Sequence, residues 1–288
     1  MKSIIVGEVE ITALTDLEGP FFGLERVFPG VTADQWATYL RRYPWAFAND
    51  RTLHGRIGAY LLRSPDRTVL VDAGIGSLDF GIHGRLLEDL EENGVRTEEV
   101  DVVFLTHLHG DHLGWSLTAE GEPTFPRARY VAQAAEWEAS YQRVERMLSP
   151  LESLGVLDLL DGEEPVTEEA MAIPTPGHSP GHASLLVSSG GEQAVVTGDV
   201  IVHPAQATEP TWNTRFDADK EQAAFTREML LEWAEADGIT LAAGHIPGSG
   251  FGRVVREEGR RYWRAIQGQE RDALSRTEEE EIHGSRTE

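Results

Sequence analysis

Residues 106–112 read Thr-His-Leu-His-Gly-Asp-His and constrain this chain more than any other stretch. They place four side chains that can bind a metal within six residues, directly after the apolar run 102–105. A buried strand that ends in such a loop delivers imidazoles and a carboxylate to its carboxyl end, where α/β sheets usually place ligand sites. The stretch therefore predicts a metal site at one edge of a sheet.

Three further candidates occur in the same local context. His178, Asp199 and His245 each follow an apolar or Pro/Gly-bounded segment that should end a strand. A lone loop histidine is usually solvated or hydrogen-bonded, whereas seven such residues in strand-ending positions favour metal binding. Imidazole and carboxylate ligands suit zinc, and also iron, manganese or cobalt. The full set of candidate ligands is His107, His109, Asp111, His112, His178, Asp199 and His245.

The composition excludes several classes of metal ligand and binding partner. The chain of 288 residues has no cysteine, which excludes thiolate ligands, thiol nucleophiles and disulfides. Its 25 Lys and Arg against 49 Asp and Glu give a net charge of −24, which repels nucleic-acid phosphates and anionic membranes. We therefore expect a small-molecule substrate, with neither nucleic acid nor membrane as a partner. The N-terminus turns acidic before a signal-peptide core forms, so we expect a cytoplasmic protein.

Strand and helix patterns alternate in both halves of the chain, which predicts two sheets buried between helical layers. We expect one domain over residues 1–275, with an N-terminal strand and an aromatic loop and helix in 1–56. The acidic segment 276–288 is predicted to be a disordered tail. The expected strands are 4–14, 57–62, 68–71, 100–105, 128–132, 184–188, 193–197 and 239–243. The expected helices are 32–40, 86–92, 134–147 and 220–233. We also expect a turn at 19–23, a surface loop at 204–218, and one more strand and turn at 253–266.

These motifs resemble the metallo-β-lactamase superfamily, whose signature His-x-His-x-Asp-His is matched by residues 107–112. Supporting matches are the segments Asp-Ala-Gly at 72–74, Thr-Pro-Gly-His at 175–178, Gly-Asp at 198–199 and Gly-His at 244–245. The resemblance implies an α/β fold of the αββα type, in which helices flank a sandwich of two mixed sheets. It also implies a binuclear metal site at the edge of the sheets.

The resemblance assigns a role to each candidate. One divalent ion, most simply Zn²⁺, would be held by His107, His109 and His178, and the second by Asp111, His112 and His245, with Asp199 bridging. Asp111 and Asp199 are the expected catalytic carboxylates. Asp72 would accept the free N–H of a ligand imidazole, and His182 would take a structural hydrogen bond. The aromatic residues expected to line a substrate pocket are Phe21, Phe22, Trp212 and Phe216; for His203 a simple loop position is favoured over the site.

The implied function is a binuclear metal-dependent hydrolase that uses a metal-bridging hydroxide to attack an ester, lactone or organophosphate ester. The segment after Asp199 resembles the lactonase and methyl-parathion-hydrolase-like branch. Acyl-homoserine lactonases with a catalytic tyrosine carry it three residues after the bridging aspartate, where this chain has Val202. The alternatives are a thioester hydrolase resembling hydroxyacylglutathione hydrolase, a mononuclear iron persulfide dioxygenase, and a metal-binding protein without catalysis. A homodimer is also left open.

Overall fold

The computed structural model describes residues 2–78 and 82–266, so the predicted tail 276–288 lies outside the described residues. Strands occur throughout the described first half of the chain: β1 Ser3–Val6, β2 Val9–Gly23, β3 Phe47–Asn49, β4 Thr52–Arg63, β5 Thr68–Val71, β6 Ser77–Leu78, β7 Ile82–His83, β8 Val102–Phe104, β9 Arg129–Gln133 and β10 Leu157–Leu160. The second half adds β11 Glu164–Pro165, β12 Ala170–Pro174, β13 Ala183–Ser189, β14 Glu192–Val196, β15 Thr240–Ala242, β16 Phe251–Glu257 and β17 Arg260–Ala265.

These strands form two large mixed sheets and a two-stranded pair. The first sheet has the order β1-β2-β4-β5-β8-β9-β10, with β3 paired to β4, and the second runs from β11 to β17 in chain order. The pairs β5–β8, β8–β9, β9–β10 and β14–β15 are parallel, and their neighbours are antiparallel. The small pair joins β6 to β7.

Helices cover the outer faces of the sheets. Their bounds are α1 Leu24–Val27, α2 Ala33–Arg42, α3 Leu86–Glu92, α4 Gly110–Leu113, α5 Ala134–Ser153 and α6 Lys220–Asp237. The sequence explains the two clearest helix starts. Thr32 caps α2 in a capping box with Gln35, and Asp219 accepts the first free N–H groups of α6. Gly238 ends α6 in the left-handed conformation.

Alternating side chains show why the sheets stack as layers. In β4, Ala59 and Leu61 pack toward α3 and α5, whereas Tyr60 and Leu62 face the second sheet. In β14, Val195 packs toward α2 and α6, and its neighbours Ala194 and Val196 face the first sheet. Because successive strand residues point to opposite faces, each sheet buries both sides. The predicted αββα sandwich of two mixed sheets between helices is confirmed.

Two local predictions are wrong. The predicted turn at 19–23 is part of β2, because Gly19 and Pro20 pair with Gly55 and His54 of β4 beside irregularities in register that accommodate the proline. The predicted surface loop 204–218 is buried in part: residues 204–207 form a buried 3₁₀ turn, Trp212 and Asp217 are also buried, and Arg215, Phe216 and Ala218 are exposed. Two further segments differ in detail, since a turn at Gly7 splits the first predicted strand and 253–266 forms a hairpin.

The topology brings the chemical residues to one edge. Each candidate lies in the loop that follows a strand. Asp72 follows β5, the 106–112 stretch follows β8, and His178 follows β12. Asp199 follows β14, and His245 follows β15. Carboxyl ends of parallel neighbours such as β5 and β8, or β14 and β15, meet at the same edge of their sheet. In the described residues, no helix is both long and apolar enough to cross a membrane.

Candidate metal centre

The structure brings all seven predicted ligands together. Their ligand atoms form three overlapping groups in which every pair of atoms is within 4.8 Å. The groups are His107 with His109 and His178, His107 with His112 and Asp199, and Asp111 with His112 and His245. In the first group, His109 Nδ1 lies 3.0 Å from the Nε2 atoms of both His107 and His178. Residues from both halves of the chain thus converge on one site.

Asp199 stands between two sets of imidazoles. Its Oδ2 atom lies 3.2 Å from His178 Nε2 and 4.0 Å from His107 Nε2. Its Oδ1 atom lies 3.3 Å from His112 Nε2 and 3.1 Å from His245 Nε2. The two carboxylate oxygens therefore face different groups, which is the arrangement that a bridging ligand requires.

Asp111 lies at the more open side of the cluster. Its Oδ2 atom is 3.6 Å from His245 Nε2 and 3.9 Å from His112 Nε2, and 33% of its side chain is exposed. The side chains of His107 and His112, by contrast, are almost completely buried. Asp111 is therefore the more exposed of the two carboxylates in the cluster.

The outer ring nitrogens have fixed partners. His112 Nδ1 donates to Asp72 Oδ2 at 2.9 Å, His178 Nδ1 to Asp217 Oδ1 at 2.8 Å and His245 Nδ1 to the Arg56 carbonyl at 2.8 Å. Because each Nδ1 makes an outward hydrogen bond, each Nε2 atom faces the cluster. Such partners fix the tautomer and ring orientation of a metal ligand.

Asp72 combines three contacts in a strained backbone. It accepts hydrogen bonds from the Thr106 N–H at 2.8 Å, the Thr106 hydroxyl at 3.0 Å and the His112 ring. Its φ of 65° lies in the left-handed region, which a non-glycine residue rarely adopts. Thr106 Oγ1 also lies 3.1 Å from His107 Nδ1. Asp72 thus supports His112 directly and His107 through Thr106.

The histidines of the cluster differ in the direction in which their pKa values are shifted. Burial lowers the pKa of His107 well below its usual value and that of His109 to about 4, so both are neutral imidazoles. Burial opposes protonation of His245 as well, but the negative charge of the nearby Asp199 outweighs it and raises the pKa of His245 to about 9. Despite burial, the charges of His245, His112 and His178 hold the pKa of Asp199 well below its usual range. Asp199 is therefore an ionised carboxylate.

Asp217 is a site residue that the sequence did not reveal. Besides His178, its carboxylate accepts the Thr214 N–H and hydroxyl, and it lies 3.4 Å from Arg227 Nη2. Burial raises the pKa of Asp217, but the His178 hydrogen bond and the Arg227 charge outweigh burial, so the pKa lies below its usual value. Arg227 Nε also donates to the Val200 carbonyl at 2.6 Å, next to Asp199. The only hint in the sequence was its position, because Asp217 lies two residues before Asp219, the residue that caps α6.

His182 supports Asp199 from behind. Its Nε2 atom accepts the Asp199 N–H at 3.0 Å, and its Nδ1 atom lies 2.8 Å from Thr175 Oγ1. Gly198 makes this approach possible, because its φ is +50° and a Cβ there would lie 2.5 Å from His182 Nε2. His182 thus bonds to the backbone of Asp199, and its structural role stays a prediction.

The four predicted pocket residues differ in how far they are exposed. Trp212 is only 9% exposed and packs in the core, with its ring centroid 4.7 Å from that of Trp36. Phe21 packs against Gly55. Phe22 and Phe216 are 41% and 44% exposed, with ring centroids 6.5 Å apart. Phe216 directly precedes Asp217, which bonds to His178, whereas Trp212 belongs to the interior.

His203 and Val202 lie behind the site. His203 is buried among Phe28, Trp36 and Phe47, and its Nδ1 atom accepts the Ala205 N–H at 3.2 Å. Burial lowers the pKa of His203 to about 3. Val202 packs against the same core cluster. His203 is therefore a neutral core residue that caps the 3₁₀ turn 204–207.

Two orphaned atoms test whether the cluster suits a metal. His112 Nε2 and Asp199 Oδ1 are buried and have no hydrogen-bond partner within the described part of the chain. Buried polar atoms are normally paired, and a divalent cation would satisfy both. Five imidazoles and two carboxylates are also the donor types that zinc and similar ions take. The residues present therefore fit divalent metal ions.

Comparison with known proteins agrees with this geometry. The profile of the metallo-beta-lactamase superfamily matches residues 56–232, more than half of the chain. The chain therefore belongs to the metallo-β-lactamase superfamily. This superfamily was the one that the motifs resembled, so that prediction is confirmed.

Individual relatives are more distant. An N-acyl homoserine lactonase of Bacillus cereus is 27% identical over 154 residues, which cover 46% of this chain and 58% of that protein. The chain thus spans little more than half the length of this curated relative. The uncharacterized protein YobT of Bacillus subtilis is 27% identical over 231 residues, covering 73% of this chain and 89% of the relative.

Solved structures match over a larger part of the chain. The hydrolase AbOPH, in the beta-lactamase superfamily, matches with a TM-score of 0.82 and 27% identity, covering 93% of this chain and 98% of that one. AidC, a dizinc quorum-quenching lactonase, matches with a TM-score of 0.80 at 22% identity and the same two coverages. At that identity the second match shows the fold alone.

Proposed function

We propose that this protein is a binuclear metal-dependent hydrolase that cleaves a carboxylic ester or a lactone. The observation that carries the proposal is Asp199, whose two oxygens face two different sets of imidazoles. The N-acyl homoserine lactonases among the relatives support the lactone part at 24–27% identity. Thioester hydrolysis and phosphotriester hydrolysis remain alternatives within the same chemistry.

In this proposal, His107, His109 and His178 would hold one divalent ion, Asp111, His112 and His245 would hold the other, and Asp199 would be a ligand of both. The ions, when bound, lower the pKa of water and polarise the oxygen of the attacked bond. Asp72, Asp217 and the Arg56 carbonyl keep three imidazoles oriented. Asp111 is accessible from solvent and can accept a proton beside the reacting group.

A substrate panel with defined metal content tests the proposal. The purified chain is stripped with a chelator, reloaded with Zn²⁺, Co²⁺ or Mn²⁺, and assayed on lactones, aryl esters, thioesters and phosphotriesters. We expect two ions per chain, lactone or ester turnover that disappears on stripping, and recovery on reloading. One iron per chain with oxygen uptake indicates a dioxygenase instead, and bound metal with no turnover indicates a binding protein. Activity that survives stripping contradicts the proposal.

The exposed pair Phe22 and Phe216 is proposed to contact the apolar part of the substrate. The Arg215 N–H donates to the Val27 carbonyl at 2.8 Å, which joins the segment carrying Phe216 to helix α1, close to Phe22. Asp217, the next residue after Phe216, bonds to His178. These links connect the backbone on both sides of the pair to the segment that orients His178, which supports a contact between the pair and a long acyl or aryl group of the substrate.

Replacing Phe216 with alanine is expected to raise KM for long-chain or aryl substrates about 10-fold with little change in kcat. The reason is that an apolar interaction of equal strength in the ground state and the transition state affects binding alone. Steady-state kinetics on short and long acyl substrates measure the effect. Phe225→Ala is the matched control, because Phe225 is 61% exposed on helix α6. Equal KM values for wild type and Phe216→Ala on long substrates would contradict the proposed role of Phe216.

A further inference from the structure

Glu136 connects the two loops that carry the first group of imidazoles. This residue lies in the first turn of α5 and is completely buried. Its Oε1 atom accepts the Leu108 N–H at 3.1 Å and the Ser140 hydroxyl at 3.2 Å. Its Oε2 atom accepts the Gly181 N–H at 3.0 Å. One carboxylate therefore bonds to both loops at once.

The positions of these two amides matter. Leu108 lies between His107 and His109, and Gly181 lies between His178 and His182. The hydrogen bonds from these two amides hold the backbone that carries the imidazoles, and they do not contact the rings themselves. The convergence of His107, His109 and His178 therefore depends on how the two loops are placed relative to each other.

The loops also approach the backbone of α5 closely. A Cβ on Gly181 would lie 2.0 Å from the Glu136 backbone nitrogen and 2.5 Å from its Cα. Because these are backbone atoms of a helix, they cannot move aside as a side-chain end can. The Gly181 loop is therefore seated directly against the helix that supplies the carboxylate.

We propose that Glu136 is a positioning residue that sets the spacing of His107, His109 and His178 by clamping their two loops. The proposal rests on the metal centre proposed above, but the hydrogen-bond clamp itself requires no metal. A carboxylate is needed because both of its oxygens accept a hydrogen bond from a backbone amide. A glutamine of the same size offers one acceptor, so its NH₂ group must face one of the two N–H donors.

Two variants and one control test the clamp. Glu136→Gln keeps the volume and removes one acceptor, whereas Gly181→Ala keeps the carboxylate and pushes its loop away from α5. Glu138→Gln is the matched control, because Glu138 is exposed on the same helix two residues later. The first readout is amide hydrogen exchange of Leu108 and Gly181 in the metal-free chain. We expect faster exchange in Glu136→Gln and rates equal to wild type in Glu138→Gln.

The second readout is metal affinity, measured by competition with a chromophoric chelator. We expect Glu136→Gln and Gly181→Ala to bind one of the two Zn²⁺ ions about 10- to 100-fold more weakly, with the other ion held as in wild type. We also expect the rise in melting temperature on adding Zn²⁺ to be smaller in both variants than in Glu138→Gln. A residue with a merely structural role would lower the metal-free and metal-loaded melting temperatures equally.

The outcomes separate this proposal from the function. If Glu136→Gln shows faster amide exchange but unchanged affinity for both ions, the positioning role is overturned while the hydrolase proposal stands. Unchanged exchange at Leu108 and Gly181 overturns the clamp itself. If the wild-type chain binds no Zn²⁺, the proposed function fails and the positioning role fails with it, while the exchange data still decide whether the clamp exists.

Discussion

Asp199→Ala is expected to lower kcat/KM on any turned-over ester or lactone by about 10³-fold or more, which corresponds to ~4 kcal/mol of transition-state stabilisation. Asp199 contributes one oxygen to the His178 side and the other to the His112 and His245 side. Its removal therefore takes a ligand from both proposed ions at once. Steady-state kinetics and metal analysis of the same sample measure the effect, and we expect fewer than two ions per chain.

The control for Asp199→Ala is Asp66→Ala, since Asp66 is exposed in the turn between β4 and β5. Asp199→Asn separates charge from volume, because asparagine fills the same space but is a poor ligand. If Asp199→Asn turned over substrate at the wild-type rate with two ions bound, the bridging role would be wrong. A lowered melting temperature with unchanged metal content would instead indicate a packing role.

Asp217→Ala is expected to reduce metal affinity or activity about 10- to 100-fold, although this side chain is not a proposed ligand. Asp217 accepts the His178 Nδ1 proton at 2.8 Å and so fixes which nitrogen faces the cluster. It also pairs with the buried Arg227, which donates to the Val200 carbonyl next to Asp199. Loss of Asp217 therefore frees the His178 ring and leaves a buried cation without its carboxylate.

Chelator competition and kinetics on Asp217→Ala and Asp217→Asn measure this effect. Asp219→Asn is a suitable comparison, because Asp219 is exposed two residues later and only caps helix α6. Asparagine at 217 can still accept the His178 proton, so we expect a smaller loss than with alanine. Equal metal affinity in Asp217→Ala and wild type would show that His178 is oriented by the backbone alone.

The candidate metal ligands could be read from the sequence because the motif is local. Residues 107–112 lie in one loop after one apolar strand, so their proximity does not depend on the rest of the fold. His178, Asp199 and His245 were identified by their strand-ending context and by the family resemblance. The structure places all of them in one cluster, and their roles as ligands remain predictions for the experiments above.

The aromatic residues show what a local sequence pattern leaves undecided. Trp212 and Phe216 are four residues apart in one segment without clear periodicity. The sequence therefore presents both of them alike, as aromatic residues of a predicted loop. In the structure, Trp212 packs against Trp36 while Phe216 is exposed beside Phe22. Whether a loop aromatic lies in the core or at a site depends on which distant element covers it, and no local pattern records that.

The sequence by itself determined the superfamily and the layered α/β class and supplied the candidate donor set, because strand alternation and a compact histidine motif are properties of short segments. Only the tertiary structure decided the contacts behind the donors: Asp217 on His178, the Arg56 carbonyl on His245, and Glu136 on the Leu108 and Gly181 amides. Each of these joins residues at least 28 positions apart. Their proximity follows from the packing of two sheets and their helices, which brings together segments that the chain itself keeps apart.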